Sequence, residues 1–294
     1  MIFYFLPGAG IFGGIKVGYQ FVRTLRKLGH PAVVASPGGT AARWFESNVP
    51  VVSREEALKQ VDTEVTAIFS LPQDYRLLRS SFKNLVFHCQ GTDPAINEFL
   101  ADETLVALSC WRQAHTYMKA QGKEAFDVGI SISGAFSYAG EEKAPRRVAY
   151  MPRRGANFIE EFFRSAPSAE GVPIDEATEW EVAETLKSSR FFLASSQNEW
   201  FGLPALEAMA AGCVVLSAPT LGGEEYLSTG RNSQVGDPQE LGSFFSRFVD
   251  ANDMLDGIAL EGMKTAARYS EARVSALVAA VGRTLDWPRG WDPK

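Results

Sequence analysis

The chain has 294 residues, 46% of them hydrophobic and 22% charged, a balance that supports packed cores and excludes a disordered chain. At roughly 150 residues per domain, this length predicts about two domains. Lys+Arg 29 against Asp+Glu 35 leaves a formal charge of −6, and such a net field repels nucleic acid.

The apolar start Met1-Ile2-Phe3-Tyr4-Phe5-Leu6 has no basic residue ahead of it and breaks at Pro7-Gly8, so it reads as a strand and not as a secretory leader. No run reaches the ~18 apolar residues that span a bilayer. A cytoplasmic protein, membrane-peripheral at most, is expected. Cys89, Cys110 and Cys213 show no C-x-x-C spacing and no neighbouring histidine cluster, which argues against structural zinc and a disulfide framework.

From the N-terminus, β-rich runs alternate with helical patterns. Strands are predicted at 2–6, 32–35, 66–70, 85–88 and 106–109. A helix is predicted over 17–28, where Val17, Phe21, Leu25 and Leu28 share one face and Gly29 and Pro31 end the pattern. Lys16, Arg23, Arg26 and Lys27 make this helix basic on one face, best read as a solvated surface. A strand over 128–133 is followed by the polar, glycine-containing stretch 134–145, which reads as a linker. The alternation then restarts, with strands at 148–151, 191–195 and 214–217 and helices at 158–163, 180–187 and 204–211. A last helical pattern runs from about 270 to 285 and leads into Trp287-Pro288-Arg289-Gly290-Trp291, whose tryptophans read as packing residues. The expected class is α/β, with two Rossmann-like doubly wound domains. Residues 1–143 form the first domain and 144–269 an abbreviated second. Residues 270–294 form a C-terminal helix that crosses back to the first.

Gly8-Ala9-Gly10-Ile11-Phe12-Gly13 matches G-x-G-x-x-G between a strand and a helix, the setting of a dinucleotide fingerprint. That fingerprint also needs an acidic residue at the end of the second strand to hold ribose. Val33-Val34-Ala35-Ser36-Pro37 offers none. A loop that lets backbone approach a ligand, with Gly13 and Gly14 at its tip, and a purely structural turn are the other readings.

The most informative stretch is Glu199-Trp200-Phe201-Gly202-Leu203-Pro204-Ala205-Leu206-Glu207-Ala208-Met209-Ala210-Ala211-Gly212. Pro204 suits a helix start and Gly212 a helix end. The amides around Gly202 and Leu203 with the positive end of the dipole make a ready anion site. Carboxylates accept hydrogen bonds and repel phosphate, so Glu199 and Glu207 suit polyol hydroxyls on either side of a diphosphate. A nucleotide sugar satisfies amides and carboxylates together. The plainer reading makes Glu207 a complement to the helix dipole and Glu199 a solvated loop residue.

This stretch resembles the E-x7-E signature, E-x-F-G-x-x-x-x-E-A-M-x-x-G, of retaining glycosyltransferases with the GT-B fold, in particular glycosyltransferase family 4. Gly13-Gly14 before a helix ending Leu28-Gly29-His30, Gly222-Gly223-Glu224-Glu225-Tyr226, and Gly236-Asp237-Pro238 are similar to further family motifs. The resemblance implies two domains facing across a cleft, with Glu199 near the donor sugar's hydroxyls and Glu207 on the nucleotide ribose. It places the Phe201, Gly202 and Leu203 backbone beside sugar and phosphate. It also implies that Arg153 neutralises the diphosphate, that Arg154 stands in for the family's lysine, and that His88 contacts the donor sugar. Trp200 departs from the family, which commonly has a small residue there.

Cleaving a sugar–phosphate bond puts negative charge on the departing nucleotide, which fixed cations such as Arg153 and Arg154 stabilise. In the family a leaving-group phosphate oxygen takes the acceptor's proton, so no glycosidase-type carboxylate pair is required. Asp93 is a second loop candidate beside His88, with a turn residue before proline as its plainer reading. No Asp-x-Asp metal spacing occurs, so no metal and no cofactor is expected, and the nucleotide-diphosphate sugar is a substrate. The expected reaction is retaining transfer to a hydroxyl acceptor, whether glycan, lipid-linked or small molecule. The alternatives are a non-catalytic nucleotide-sugar-binding protein and a GT-B-fold sugar-nucleotide epimerase or phosphorylase.

Overall fold

A computed structural model describes residues 1–60, 64–197, 199–285 and 287. The chain divides into two compact units, Met1–Ser131 with Glu271–Lys294, and Ile132–Ser270. Among the described residues, no helix is long and apolar enough to cross a membrane.

The first unit runs β1 (Ile2–Phe5), α1 (Gly13–Lys27), β2 (Ala32–Ser36), β3 (Val51–Ser53), α2 (Arg54–Lys59), β4 (Thr66–Phe69), α3 (Tyr75–Ser81), β5 (Asn84–Cys89), α4 (Asn97–Leu100), β6 (Val106–Ser109), α5 (Arg112–Ala120) and β7 (Phe126–Asp127). Its strands pair in parallel in the order β3-β2-β1-β4-β5-β6-β7. The order reverses between β1 and β4, and ligands of open α/β sheets bind beyond the carboxyl ends at such a switch. The glycine loop leaves β1 at that edge, and Gln90-Gly91 leaves β5 at the same edge. One face of the sheet packs on α1, through Tyr4, Ile68, Val86 and Leu108 against Tyr19, Phe21, Val22 and Leu25.

In the second unit the chain runs β8 (Ala144–Tyr150), α6 (Ala156–Ser165), β9 (Glu170–Pro173), α7 (Glu179–Ser188), β10 (Ser189–Ala194), α8 (Leu203–Ala210), β11 (Val214–Ser217), β12 (Gln234–Val235), α9 (Pro238–Phe248) and α10 (Asn252–Ala266). The parallel sheet order is β12-β11-β10-β8-β9, over a core that includes Phe162, Phe191, Leu193, Leu216 and Phe245. Two complete helix–strand units, α6–β9 and α7–β10, fit between β8 and Glu199. One edge strand of the sheet, the four-residue β9, lies in that span. Both units are thus parallel-sheet α/β domains.

The last described helix, α11 (Glu271–Thr284), belongs to the first unit. Val274, Val278 and Val281 join its core beside Val22 and Leu25, and Glu271 accepts from Arg23 and from Lys27, the latter at 3.1 Å. The basic face of α1 is therefore engaged by α11 at these two residues, where a solvated surface was expected. Trp287 is buried in the same core; Trp291 lies outside the described residues.

Two local expectations fail for physical reasons. The strand predicted over 128–133 stops at Asp127, because Gly129 adopts φ +68° and leaves the extended region after Val128 N donates once more to Ser109 O. The stretch 134–145 is no free linker. Phe136 is buried and Tyr138 N donates to Ala210 O at 3.1 Å. The Lys143 ammonium lies 2.8–3.1 Å from the carbonyl oxygens of Leu186, Lys187, Ser189 and Ala211 and shares its three N–H donors among them. The unit division accordingly falls after Ser131, where composition places it after residue 143.

Candidate functional site

In the second unit the site is built where β8 and β10 end. After β8 the chain turns through Gly155, at φ +75°, into α6. A Cβ there would lie 2.3 Å from Ser195 O, and Ser195 Oγ donates to Arg154 O at 2.9 Å. Only glycine permits this approach, which clips the arginine loop to the end of β10. The two adjacent arginines then diverge. Arg154 donates to Glu199 Oε1 at 3.1 Å, while Arg153 Nε lies 3.6 Å from Asp175 Oδ1 beyond β9.

Gly202, at φ +83°, is the N-cap of α8 and, being glycine, brings no capping side chain of its own. Pro204 sits in the first turn, where its missing N–H costs nothing. Ala211 caps the other end and Gly212 follows at φ +73°, a common helix exit. The turn before α8 is braced from behind. The Tyr226 hydroxyl lies 2.7 Å from Gly202 O and 3.1 Å from Phe201 O, and a Cβ on Gly222 would lie 2.1 Å from Trp200 O. The Gly222-Gly223 turn thus serves close packing against the Trp200–Phe201 backbone. Burial pushes the Tyr226 hydroxyl pKa far up, so it acts as a neutral group. Glu207 lies inside α8 and is buried, whereas Glu199 is partly exposed. Trp200 is exposed at 43%.

The structure therefore brings Arg154, Glu199 and the head of α8, with Phe201, Gly202 and Leu203, into one neighbourhood. It directs Arg153 toward Asp175. The exposed Arg154–Glu199 pair contributes about 0–1 kcal/mol, as surface pairs do, so an arriving diphosphate or polyol can draw either partner away.

In the first unit, Gly13 opens α1 and Gly14 follows it. His88, expected to contact sugar, is 1% exposed inside β5. Its Nδ1 lies 2.8 Å from Tyr4 Oη and its Nε2 2.9 Å from Cys110 Sγ. Burial lowers its pKa to about 3. With both ring nitrogens engaged and the ring walled off, the sugar contact expected of His88 does not fit this position: Leu85 through Cys89 are all buried, so β5 is covered on both faces and either parity puts the ring in a core. Gln90, two residues on, is the half-buried polar side chain at the strand's carboxyl edge, and a Cβ on Gly14 would lie 2.6 Å from its Oε1. Its sequence signal is its place as the first residue beyond β5, at the carboxyl edge where burial ends. Asp93 caps a short turn through Ala95 N at 2.8 Å, the plainer of its two readings.

Residues 176–244 match the family model described as glycosyl transferases group 1. The second unit carries this segment. It spans α7, β10, α8 and β11, hence both Glu199 and Glu207. Over 237 residues, 69% of this chain and 68% of the relative, the sequence is 27% identical to an alpha-1,6-glucosyltransferase of Actinobacillus pleuropneumoniae serotype 7. The fold is similar to that of Anabaena Alr3699/HepE, solved in complex with UDP-glucose, with TM-score 0.78 and 12% identity over 96% of this chain and 99% of that one. It is also similar to sucrose-phosphate synthase from Thermosynechococcus elongatus, with TM-score 0.73 and 11% identity over 97% and 98% of the two chains. These findings show a GT-B fold over nearly the whole chain and a segment of the glycosyl transferases group 1 kind over residues 176–244.

Proposed function

We propose that the protein is a retaining, metal-independent glycosyltransferase of the family 4 kind, which moves a sugar from a nucleotide-diphosphate sugar to a hydroxyl acceptor in the cytoplasm. The carrying observation is the placement of Glu199 beside Arg154 at the glycine-capped head of α8, with Glu207 inside that helix. The amides and dipole of α8 suit a diphosphate, and an ionised carboxylate on each side suits hydroxyls.

On this reading the donor's C1–O bond breaks and its electron pair leaves with the nucleoside diphosphate. Arg154, released from Glu199, stabilises that charge together with the helix head, and Arg153 adds to it on leaving Asp175. The acceptor hydroxyl attacks C1 from the face the phosphate leaves, and its proton passes to the departing phosphate oxygen. No histidine base is needed, consistent with the enclosure of His88. Glu199 orients the sugar through its hydroxyls and Glu207 the ribose.

Calorimetry with UDP-glucose and other nucleotide sugars tests the donor site. Glu207→Gln is expected to weaken binding roughly 10- to 100-fold, the worth of a charge-assisted hydrogen bond. Equal binding by wild type and variant contradicts the ribose role. The exposed Trp200 beside Glu199 favours a second reading, a non-catalytic binder. Tight binding without turnover of any donor selects it.

A further inference from the structure

Three polar side chains interrupt the first unit's apolar core in a line. Tyr4 on β1, His88 on β5 and Cys110 just after β6 are 0%, 1% and 2% exposed. They link through the 2.8 Å Tyr4–His88 and 2.9 Å His88–Cys110 contacts. Phe21 closes over the imidazole at 4.6 Å between ring centroids, and Gly18 of α1 presses on the tyrosine ring, where a Cβ would lie 2.9 Å from Tyr4 Cε1. Apolar residues of similar volume pack such a core without any need for mutual hydrogen bonding. The line reaches Gln90, whose Nε2 donates to Tyr4 Oη at 3.0 Å, and the Ser70 hydroxyl shares the same phenol. The other half of that carboxamide, Oε1, lies against Gly14, where only a missing side chain leaves room.

We propose that Tyr4 and His88 are positioning residues that lock the Gln90 carboxamide with its carbonyl oxygen turned to the Gly13-Gly14 loop, as a hydrogen-bond acceptor for a saccharide hydroxyl. Neutral imidazole is one acceptor and one donor. With the imidazole proton on Nε2, Tyr4 gives its own proton to Nδ1, its oxygen accepts from Gln90 Nε2, and Nε2–H of His88 turns to the thiol. That tautomer sets the amide orientation of Gln90 from within the core. A carbonyl oxygen repels phosphate and accepts from hydroxyls, which makes a sugar the fitting occupant. Burial keeps His88 and Cys110 neutral, so the lock holds through the physiological pH range. The inference rests on the glycosyltransferase reading for the identity of the sugar.

Tyr4→Phe keeps the ring and removes the lock, Gln90→Ala removes the acceptor, and Gly14→Ala displaces it. Each variant is compared with wild type for binding of UDP-glucose against UDP alone, for the KM of D-glucose as acceptor, and for melting temperature. Each substitution is expected to cost about fivefold or more in one sugar readout, with UDP binding little changed; Tyr4→Phe also lowers the melting temperature, because the buried His88 Nδ1 loses its partner. The double variant Tyr4→Phe/Gln90→Ala is expected to be no worse than Gln90→Ala, because the two act as one unit. Loss confined to the UDP-glucose increment identifies the donor's sugar, and loss confined to D-glucose KM identifies the acceptor. Multiplicative effects, or a Tyr4→Phe variant that loses only stability, overturn the positioning role. Wild-type binding with Gln90→Ala unchanged in both sugar readouts overturns the inference alone. A wild type that binds neither UDP-glucose nor UDP and transfers nothing overturns both it and the donor reading.

Discussion

Arg154 and Glu199 lie 45 residues apart in sequence and 3.1 Å apart in the fold. Exchange of Arg154 from the carboxylate to a diphosphate predicts that Arg154→Met slows turnover of the donor about tenfold or more while leaving thermal stability nearly unchanged, since an exposed pair contributes so little. Steady-state kinetics beside a melting curve checks both halves. Glu199 and Glu207 were legible in the sequence because a proline, two glycines and an aromatic fix their spacing around a helix start. The arginine partner was legible only as a pair, Arg153-Arg154. Which one turns to Glu199 depends on the Gly155 contact with Ser195, a long-range approach that no local pattern encodes. His88 misled for a similar reason: an ionisable residue at the end of an apolar run looks like a site, yet β5 is covered on both faces through Cys89.

At the scale of elements, α8 carries the site and its far end is held by Lys143. This ammonium donates to carbonyls at the C-terminal ends of both α7 and α8 and lies 4.8 Å from the Tyr138 ring centre. Burial lowers its pKa, but cation-accepting carbonyls at two helix ends favour the charged form. Lys143→Met leaves these oxygens without their donor. The expected loss is roughly 2–4 kcal/mol, the cost of breaking a buried charged hydrogen-bond cluster, read as a lower midpoint in urea unfolding. An unchanged midpoint contradicts the stapling role. The sequence presents the surrounding stretch as polar, glycine-containing and linker-like. Its structural work rests on one lysine reaching carbonyls 43 to 68 residues away, which composition does not register.

Across the whole molecule, alternation of strands and helices was readable because each parallel strand is a short apolar run bounded by glycine, proline or polar turns. Strand order and the unit to which α11 belongs were not, since both depend on which apolar faces meet. The buried His88 also sets a pH dependence for the fold. Its pKa is about 3 when folded against a usual 6.5, so the unfolded chain takes up the proton first and stability falls as pH drops through 6.5 toward 3. Between pH 7 and pH 5 this residue accounts for about 2 kcal/mol, and His88→Asn is expected to flatten that part of the stability profile. A profile as steep as wild type contradicts it.

The most direct test of the account is turnover of UDP-glucose followed by proton NMR, in wild type and Glu199→Gln, with the anomeric configuration of the first-formed product recorded. Wild type is expected to release UDP and form a product of unchanged anomeric configuration, and the variant to do so at least a hundredfold more slowly. Inverted product, or a variant as fast as wild type, contradicts the assignment of Glu199 and the head of α8 as the donor site.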